Sequence, residues 1–163
     1  MSKEKNKAVA IIDADSLVYE SACKGEVRVP EFGAEAVATN LDLAIHNLKT
    51  RIGTIMEAAR CDEVMMCLSG SKPYWREKVY PKYKHNRKSV VRPKLLGQLI
   101  DWLKDNFPHD CRPGIEADDL VGIYGTHPNW MRDRRNIIVS VDKDLNQVQG
   151  FHLNPSQIGR AHV

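Results

Sequence analysis

Residues 8–16 read AVAIIDADS, five apolar residues in a row followed by Asp13, Asp15 and Ser16. An uninterrupted apolar run of this length, ending in polar residues, has the form of a strand buried on both faces, as strands inside a parallel sheet are. Its carboxyl end would deliver Asp13 and Asp15, and ligands of open α/β sheets gather at such ends. Two further stretches share the form. NIIVSVDKD, residues 136–144, ends on Asp142 and Asp144, and EVMMCLSG, residues 63–70, ends on small turn residues. HDCRPG, residues 109–114, has room for one more short strand.

Between these runs the apolar spacing changes from continuous to helical. Val37, Leu41, Ile45, Leu48, Ile52, Ile55 and Met56 recur at three- and four-residue steps, which predicts a long amphipathic helix from about Ala34 to Ala59. PKLLGQLIDWLKDNF, residues 93–107, predicts a second, with Pro93 in the favoured first turn and Leu95, Leu96, Leu99, Ile100, Leu103 and Phe107 on the buried stripe. Strands alternating with helices imply an α/β fold, a mostly parallel sheet flanked by helices through right-handed crossovers. At 163 residues the chain fits a single domain over 1–163 with a real core.

Composition describes a globular protein with 28% charged and 42% hydrophobic residues and a net charge of +3. No apolar run approaches the roughly 20 residues of a membrane span, and MSKEKNK leads into residue 8 without a signal-peptide core, so a cytoplasmic protein without a membrane partner is expected. Cys23, Cys61, Cys67 and Cys111 show neither CxxC spacing nor nearby paired histidines, which predicts reduced, mostly buried thiols.

Charge is distributed unevenly. From Lys72 to Lys94 nine Lys and Arg residues face the single acid Glu77, a local net charge of +8 that leaves −5 for the remainder. Within this stretch YPKYKHNRKSVVRP, residues 80–93, is too basic for a core element and long for a turn, and loops of that kind are often functional. Tyr80 and Tyr83 interleave with Lys82, Lys84, Arg87 and Lys88, the mixture that stacks bases and neutralises phosphates.

The opposite sign concentrates in GIEADDLVG, residues 114–122, where Glu116, Asp118 and Asp119 sit among Ile115, Leu120 and Val121. Two like charges about 4 Å apart repel by roughly 4 kcal/mol at an effective dielectric of about 20, so such a group needs protons, basic partners or metal. Asp13 and Asp15, Glu116 with Asp118 and Asp119, and Asp142 with Asp144 could converge around hard cations. Oxygen-rich sites favour Mg²⁺ or Mn²⁺, and two such ions about 3.5–4 Å apart clamp a phosphodiester. An acidic metal site beside a basic, aromatic clamp has the chemistry of a nuclease.

The motifs IIDAD, YPKYKHNRK, GIEADDLVG and VSVDKDLNQ, in this order across residues 8–154, resemble the 5′–3′ exonuclease and flap endonuclease family. The resemblance implies a PIN-like α/β domain in which Asp13, Glu116, Asp118, Asp119, Asp142 and Asp144 hold two Mg²⁺ or Mn²⁺ ions, with Asp15 a secondary candidate. It implies a basic helical arch at about 72–94. There Lys84 and Arg87 would contact the scissile phosphate, Tyr83 would stack on a base, and Arg76, Tyr80, Lys82 and Lys88 would line the path of a 5′ single strand. The implied chemistry is metal-assisted phosphodiester hydrolysis at 5′ ends or flaps of DNA, with Lys84, Arg87, Asp13, Glu116, Asp118 and Asp142 catalytic. The cell compartment would be the cytoplasm, the host's for a phage-encoded chain.

Two departures from the family pattern stand out. Ser69 or Ser71 occupies the place after the second apolar strand where the family has an acid. The chain also ends at NPSQIGRAHV, before the helix–three-turn–helix region that grips duplex DNA and adds two aspartates to the second metal. The C-terminal DNA-binding region is thus expected to be absent and the second metal site depleted, in a truncated chain, a minimal one, or one half of a split enzyme completed by a separate partner chain. Two competing readings accompany the nuclease: a PIN-type ribonuclease, and a non-catalytic nucleic-acid-binding module.

Overall fold

In the computed structural model, which describes residues 7–31, 34–84, 90–127, 130 and 133–158, the opening apolar run is the central strand β1 (Ala8–Asp13). Residues 8–12 are at most 1% exposed because both faces of the strand are covered. Strands β4 (Glu63–Ser69) and β6 (Arg135–Val139) flank it in parallel, with Asp13 opposite Cys67 and Ile12 opposite Val139. β5 (His109–Arg112) and β7 (Phe151–Leu153) complete an all-parallel sheet of order β5-β4-β1-β6-β7. The chain builds outward from β1 first to one side and then to the other, so the order reverses beside β1 and a crevice opens at the carboxyl ends.

Side-chain alternation along β1 divides the core. Ala8, Ala10 and Ile12 face a layer formed by α1 (Ala14–Lys24), α2 (Leu41–Ala59) and α4 (Leu96–Asn106), packed through Leu17, Val18, Leu48, Ile52, Leu99 and Leu103. Ile11 faces the other side, where α5 (Ala117–Thr126) brings Ala117, Leu120 and Val121. Among the described residues no helix is long and apolar enough to cross a membrane.

Several sequence expectations are corrected. The helix expected from Ala34 begins at Leu41, because β2 (Glu26–Glu31) and β3 (Ala34–Thr39) form an antiparallel pair outside the main sheet. The hairpin satisfies the backbone groups of residues 34–39, and the Asn40 side chain then caps α2 by accepting from the Leu43 N–H at 3.0 Å. Val37, four residues before Leu41, imitates the helical stripe while lying in a strand. Pro93 stands ahead of α4 and not in its first turn, its carbonyl accepting from the Leu96 N–H at 3.2 Å. Of the cysteines only Cys67 is buried, while Cys23 is exposed and Cys61 and Cys111 lie between. The expected arch starts as the short helix α3 (Trp75–Val79) and a turn at 81–84, and residues 85–89, with Arg87 and Lys88, lie outside the described residues.

Candidate active site

The carboxyl edge of the sheet gathers side chains from five segments. Asp13 closes β1, and its Oδ2 accepts from Ser140 Oγ, just beyond β6, at 3.2 Å. Asp15 stands in the first turn of α1, where the helix dipole favours an anion. Its carboxylate accepts from the Ser69 N–H at 3.0 Å and from Ser69 Oγ at 2.5 Å. Ser69 Oγ in turn accepts from the Ala117 N–H at the start of α5, at 2.9 Å. The loop before α5 is tied to the end of β4 by Gly70 N–H to Ile115 O and Gly114 N–H to Ser71 O, both 2.9 Å. Gly114 takes a φ of +77°, a left-handed turn that glycine adopts without strain.

That turn places GIEADDLVG with Glu116 as the N-cap of α5 and Asp118 and Asp119 in its first turn. Glu116 is 3% exposed, and it is the carboxylate on which the basic stretch converges. Lys84 Nζ donates to its Oε1 at 2.5 Å, while Arg76 Nη1 at 2.6 Å and Tyr83 Oη at 3.2 Å donate to Oε2. Arg76 also forks onto Asp119, Nη1 to Oδ2 at 2.8 Å and Nη2 to Oδ1 at 2.7 Å, and Trp75 Nε1 adds a third donor at 2.9 Å. The guanidinium lies 4.7 Å from the Trp75 ring centroid and 5.9 Å from that of Tyr83. The like charge of GIEADDLVG is thus balanced by Arg76 and Lys84 from the basic stretch.

Ionisation follows from these contacts. Burial pushes the Asp13 carboxyl up to about 6, with the charges of Asp15 and Asp118 adding to it and the Ser140 hydrogen bond working against it. Asp118 is likewise raised, by burial and by Asp119 and Glu116, against the pull of Arg76. For Asp119 burial is outweighed by the hydrogen bonds of Arg76 and Trp75 and the charge of Arg76, which hold its carboxyl below the usual range. Burial works against the charge on Lys84, but its bonds to Glu116 and Tyr83 and the Glu116 charge raise it.

Glu116, Asp118 and Asp119 can each bring one oxygen within 4.8 Å of the others, a hard-donor set that fits a divalent cation. Asp13 lies within electrostatic reach of Asp118. Asp142 and Asp144 lie outside that set. Both are exposed, Asp142 Oδ1 accepting from the Asp144 N–H at 2.9 Å, and Asp142 connects to Asp13 through Ser140 Oγ, which accepts the Asp142 N–H at 3.0 Å. Tyr80 and Lys82 are exposed on the turn, and Tyr83 and Lys84 are half-buried against the site. Arg76, expected to contact nucleic acid, is committed here to the carboxylates.

A cavity of about 420 Å³ opens beside Glu116, Asp15 and Ser69, with Tyr19, Lys72, Tyr74 and Arg92 among its walls. The sequence reading missed Trp75, Ser140 and Tyr19. Trp75 was recoverable, because a tryptophan immediately before Arg76 in a basic, polar stretch has no core to serve. Ser140 and Tyr19 carry no sequence signal apart from the fold.

Residues 8–156 match the family profile described as the 5′-3′ exonuclease N-terminal, resolvase-like domain. The chain belongs to the 5′–3′ exonuclease family. Among its relatives, the exonuclease of Escherichia phage T7 is 30% identical over 87 residues, 52% of this chain and 29% of that protein. A 5′-3′ exonuclease of Buchnera aphidicola is 26% identical over 167 residues, covering 94% of this chain and 53% of the relative. This exonuclease-family chain therefore spans about half the length of the Buchnera protein, and its match to the phage T7 protein covers under a third of that one. The structure of bacteriophage T5 flap endonuclease in a pseudo-enzyme–product complex with DNA and metal ions superposes with a TM-score of 0.60 at 15% identity, covering 93% of this chain and 60% of that one. A zinc-bound T5 5′-exonuclease gives 0.56 at 17% identity, over 87% of this chain and 52% of that one. These likenesses establish the fold, a parallel sheet between helical layers.

Proposed function

We propose that this chain is a divalent-metal-dependent 5′ nuclease that hydrolyses phosphodiester bonds at the 5′ ends or flaps of DNA in the cytoplasm. One observation carries the reading. The buried carboxylate Glu116 is the meeting point of an acidic cluster fit for a hard cation and of cations from a stretch of net charge +8 fit for a phosphate backbone. Relatives named as exonucleases and a flap endonuclease, and a fold relative solved with DNA and metal ions, support the same reading.

Glu116, Asp118, Asp119 and Asp13 would hold Mg²⁺ or Mn²⁺, with Asp142 and Asp144 at the same edge available to a second ion. When bound, such ions polarise a phosphoryl oxygen and lower the pKa of water. The chain's own groups do the rest. Lys84, a donor held charged beside the site, is placed to transfer a hydrogen bond from Glu116 to a scissile phosphate and to offset charge developing there. Tyr83 offers a ring face for a base, Tyr80 and Lys82 continue the track of a 5′ single strand, and Arg87 and Lys88, outside the described residues, add positive charge to the same stretch of sequence. Arg76 keeps Glu116 and Asp119 aimed at the crevice, a bidentate task that a lysine performs poorly.

The test is cleavage of a 5′-labelled flap duplex, the matching blunt duplex and a single-stranded RNA in Mg²⁺, Mn²⁺ or EDTA, with Asp13→Asn and Asp142→Ala alongside. Metal-dependent cutting of the flap or 5′ end, lost in both variants, is expected. RNA-only cutting would transfer the site to a ribonuclease, and binding without cutting in any metal would leave a nucleic-acid-binding module.

A further inference from the structure

β1 ends on Asp13, and α5, which follows β5, has Glu116 as its N-cap, yet β4, between β1 and β5 in the sheet, ends on Ser69. We infer that Ser69 is a positioning residue that makes Asp15, a side chain of α1, the carboxylate presented at the end of β4 to the divalent-ion site. The inference rests on the metal-dependent reading above and concerns which carboxylate completes it.

The hydroxyl inventory decides what Ser69 can do. A serine has one O–H donor and two acceptor lone pairs. Its proton goes to Asp15 Oδ2 at 2.5 Å, and one lone pair takes the Ala117 N–H at 2.9 Å. Its backbone N–H is also spent on Asp15, at Oδ1 and 3.0 Å. Ser69 is therefore engaged on both neighbours, and a neutral hydroxyl so committed is a poor cation ligand. Asp15 keeps the unused half of its roughly four lone-pair sites. It lines the same cavity as Glu116, Lys84 and Ser69. Its negative charge also reaches Asp13, whose carboxyl it helps to raise. Ser71, the other serine of the turn, is exposed, and its carbonyl accepts from the Gly114 N–H.

Register explains why two residues so far apart in sequence meet. Asp13 pairs with Cys67, so two steps further along, where β1 has turned into α1, Asp15 falls opposite Ser69. The same hydroxyl reaches the first residue of α5, so one side chain sets the separation between Asp15 and the Glu116–Asp118–Asp119 turn. A brace serving stability alone would need no carboxylate facing a cavity that Glu116 shares.

The measurement is Mn²⁺ affinity of the whole chain, read by electron paramagnetic resonance of free Mn²⁺ without nucleic acid, for wild type, Asp15→Asn, Ser69→Ala, Ser69→Thr and the double variant Asp15→Asn/Ser69→Asp. Loss of an outer partner of a metal ligand lowers affinity about 10- to 100-fold. Asp15→Asn and Ser69→Ala are expected to weaken binding by at least about tenfold, Ser69→Thr to retain it, and the double variant, which returns a carboxylate to β4, to regain most of it. Circular dichroism identifies any variant that fails to fold, and the double variant then decides by itself. Unchanged Mn²⁺ affinity in Asp15→Asn, or no recovery in the double variant, overturns the inference while leaving the nuclease reading intact. A wild-type chain that binds no Mn²⁺ removes both.

Discussion

Asp13 links stability to the proposed chemistry. Its carboxyl is raised from an ordinary 3.8 to about 6, chiefly by burial, so the folded chain holds this proton more tightly than the unfolded chain does. A raised acid is a stabiliser only while protonated. Its contribution is fully present below about pH 4 and is lost as the pH rises towards 6, amounting to about 3 kcal/mol. Asp13→Asn, neutral throughout, should therefore gain stability relative to wild type between pH 4 and 7 in EDTA while losing cleavage. Urea unfolding at the two pH values checks this, and a pH-independent difference would place the cost elsewhere. Arg76 presents the converse case. Arg76→Ala leaves Asp119 without its ion-pair partner and leaves Glu116, whose side chain is 4% exposed, with Lys84 as its remaining cation. The expected loss in EDTA is about 2–3 kcal/mol, below the cost of a fully buried pair because Arg76 itself is 27% exposed. Mn²⁺ should restore much of it by supplying the missing cation, and a loss equal with and without metal would show that Arg76 does not share its carboxylates with an ion. Trp75 Nε1, bound to the same Asp119, should report that exchange as a change in fluorescence.

At the level of elements, legibility in the sequence followed burial on two faces. β1, β4 and β6 were readable because a strand covered on both sides needs an unbroken apolar run, and the acids at the end of β1 and after β6 marked the candidate edge of the sheet. The β2–β3 hairpin was hidden because its apolar residues Val27 and Val29 are 57% and 44% exposed, so no buried face imposed a clean alternation. β7 has three residues and α3 five, too few for any period to show. Within the site, Glu116, Asp118 and Asp119 were legible as a local cluster, whereas the links from Ser69 to Asp15 and from Arg76 to Asp119 join residues 54 and 43 positions apart. Glycine substitutions test how tightly the edge is built. A Cβ on Gly70 would lie 1.8 Å from the Arg112 carbonyl oxygen, a backbone atom between β5 and the turn before α5. Gly70→Ala should cost about 1–3 kcal/mol or more and weaken Mn²⁺ binding, because the segment from Arg112 to Glu116 must move. Gly53, exposed in α2 with nothing within 4 Å of its would-be Cβ, is the matched control. Gly53→Ala should stabilise by about 0.5–1 kcal/mol through helix propensity and leave Mn²⁺ binding alone. Thermal midpoints measure both, and equal effects would contradict the crowding at Gly70.

The whole molecule separates its charge. Residues 72–94 carry +8 and the remainder −5, so a chain of net charge +3 meets a polyanion as a strongly basic strap mounted on an acidic body. The strap is anchored at its base, where Arg76 and Lys84 are bound to Glu116, and exposed further out, where Tyr80 and Lys82 face solvent. On the proposed function, such an arrangement would draw a single strand in through the outer cations and admit it to the carboxylates past Lys84 and Arg76. Binding to single-stranded DNA should accordingly weaken with salt, the logarithm of affinity falling with a slope of about −0.7 per phosphate neutralised. Lys82→Ala should reduce the slope by about one such step with a uniform loss of affinity across sequences, whereas Lys49→Ala, exposed on α2, should leave it unchanged. Lys84→Ala separates the two tasks of the strap: a residue shared between Glu116 and a phosphate should lower turnover more than affinity, because its contact with the phosphate strengthens as negative charge builds there. Fluorescence anisotropy over a salt series, with single-turnover cleavage on the same variants, reads both quantities. An Lys84→Ala chain that binds more weakly yet cuts at the wild-type rate would make Lys84 one more cation of the strap and leave the chemistry to the carboxylates alone.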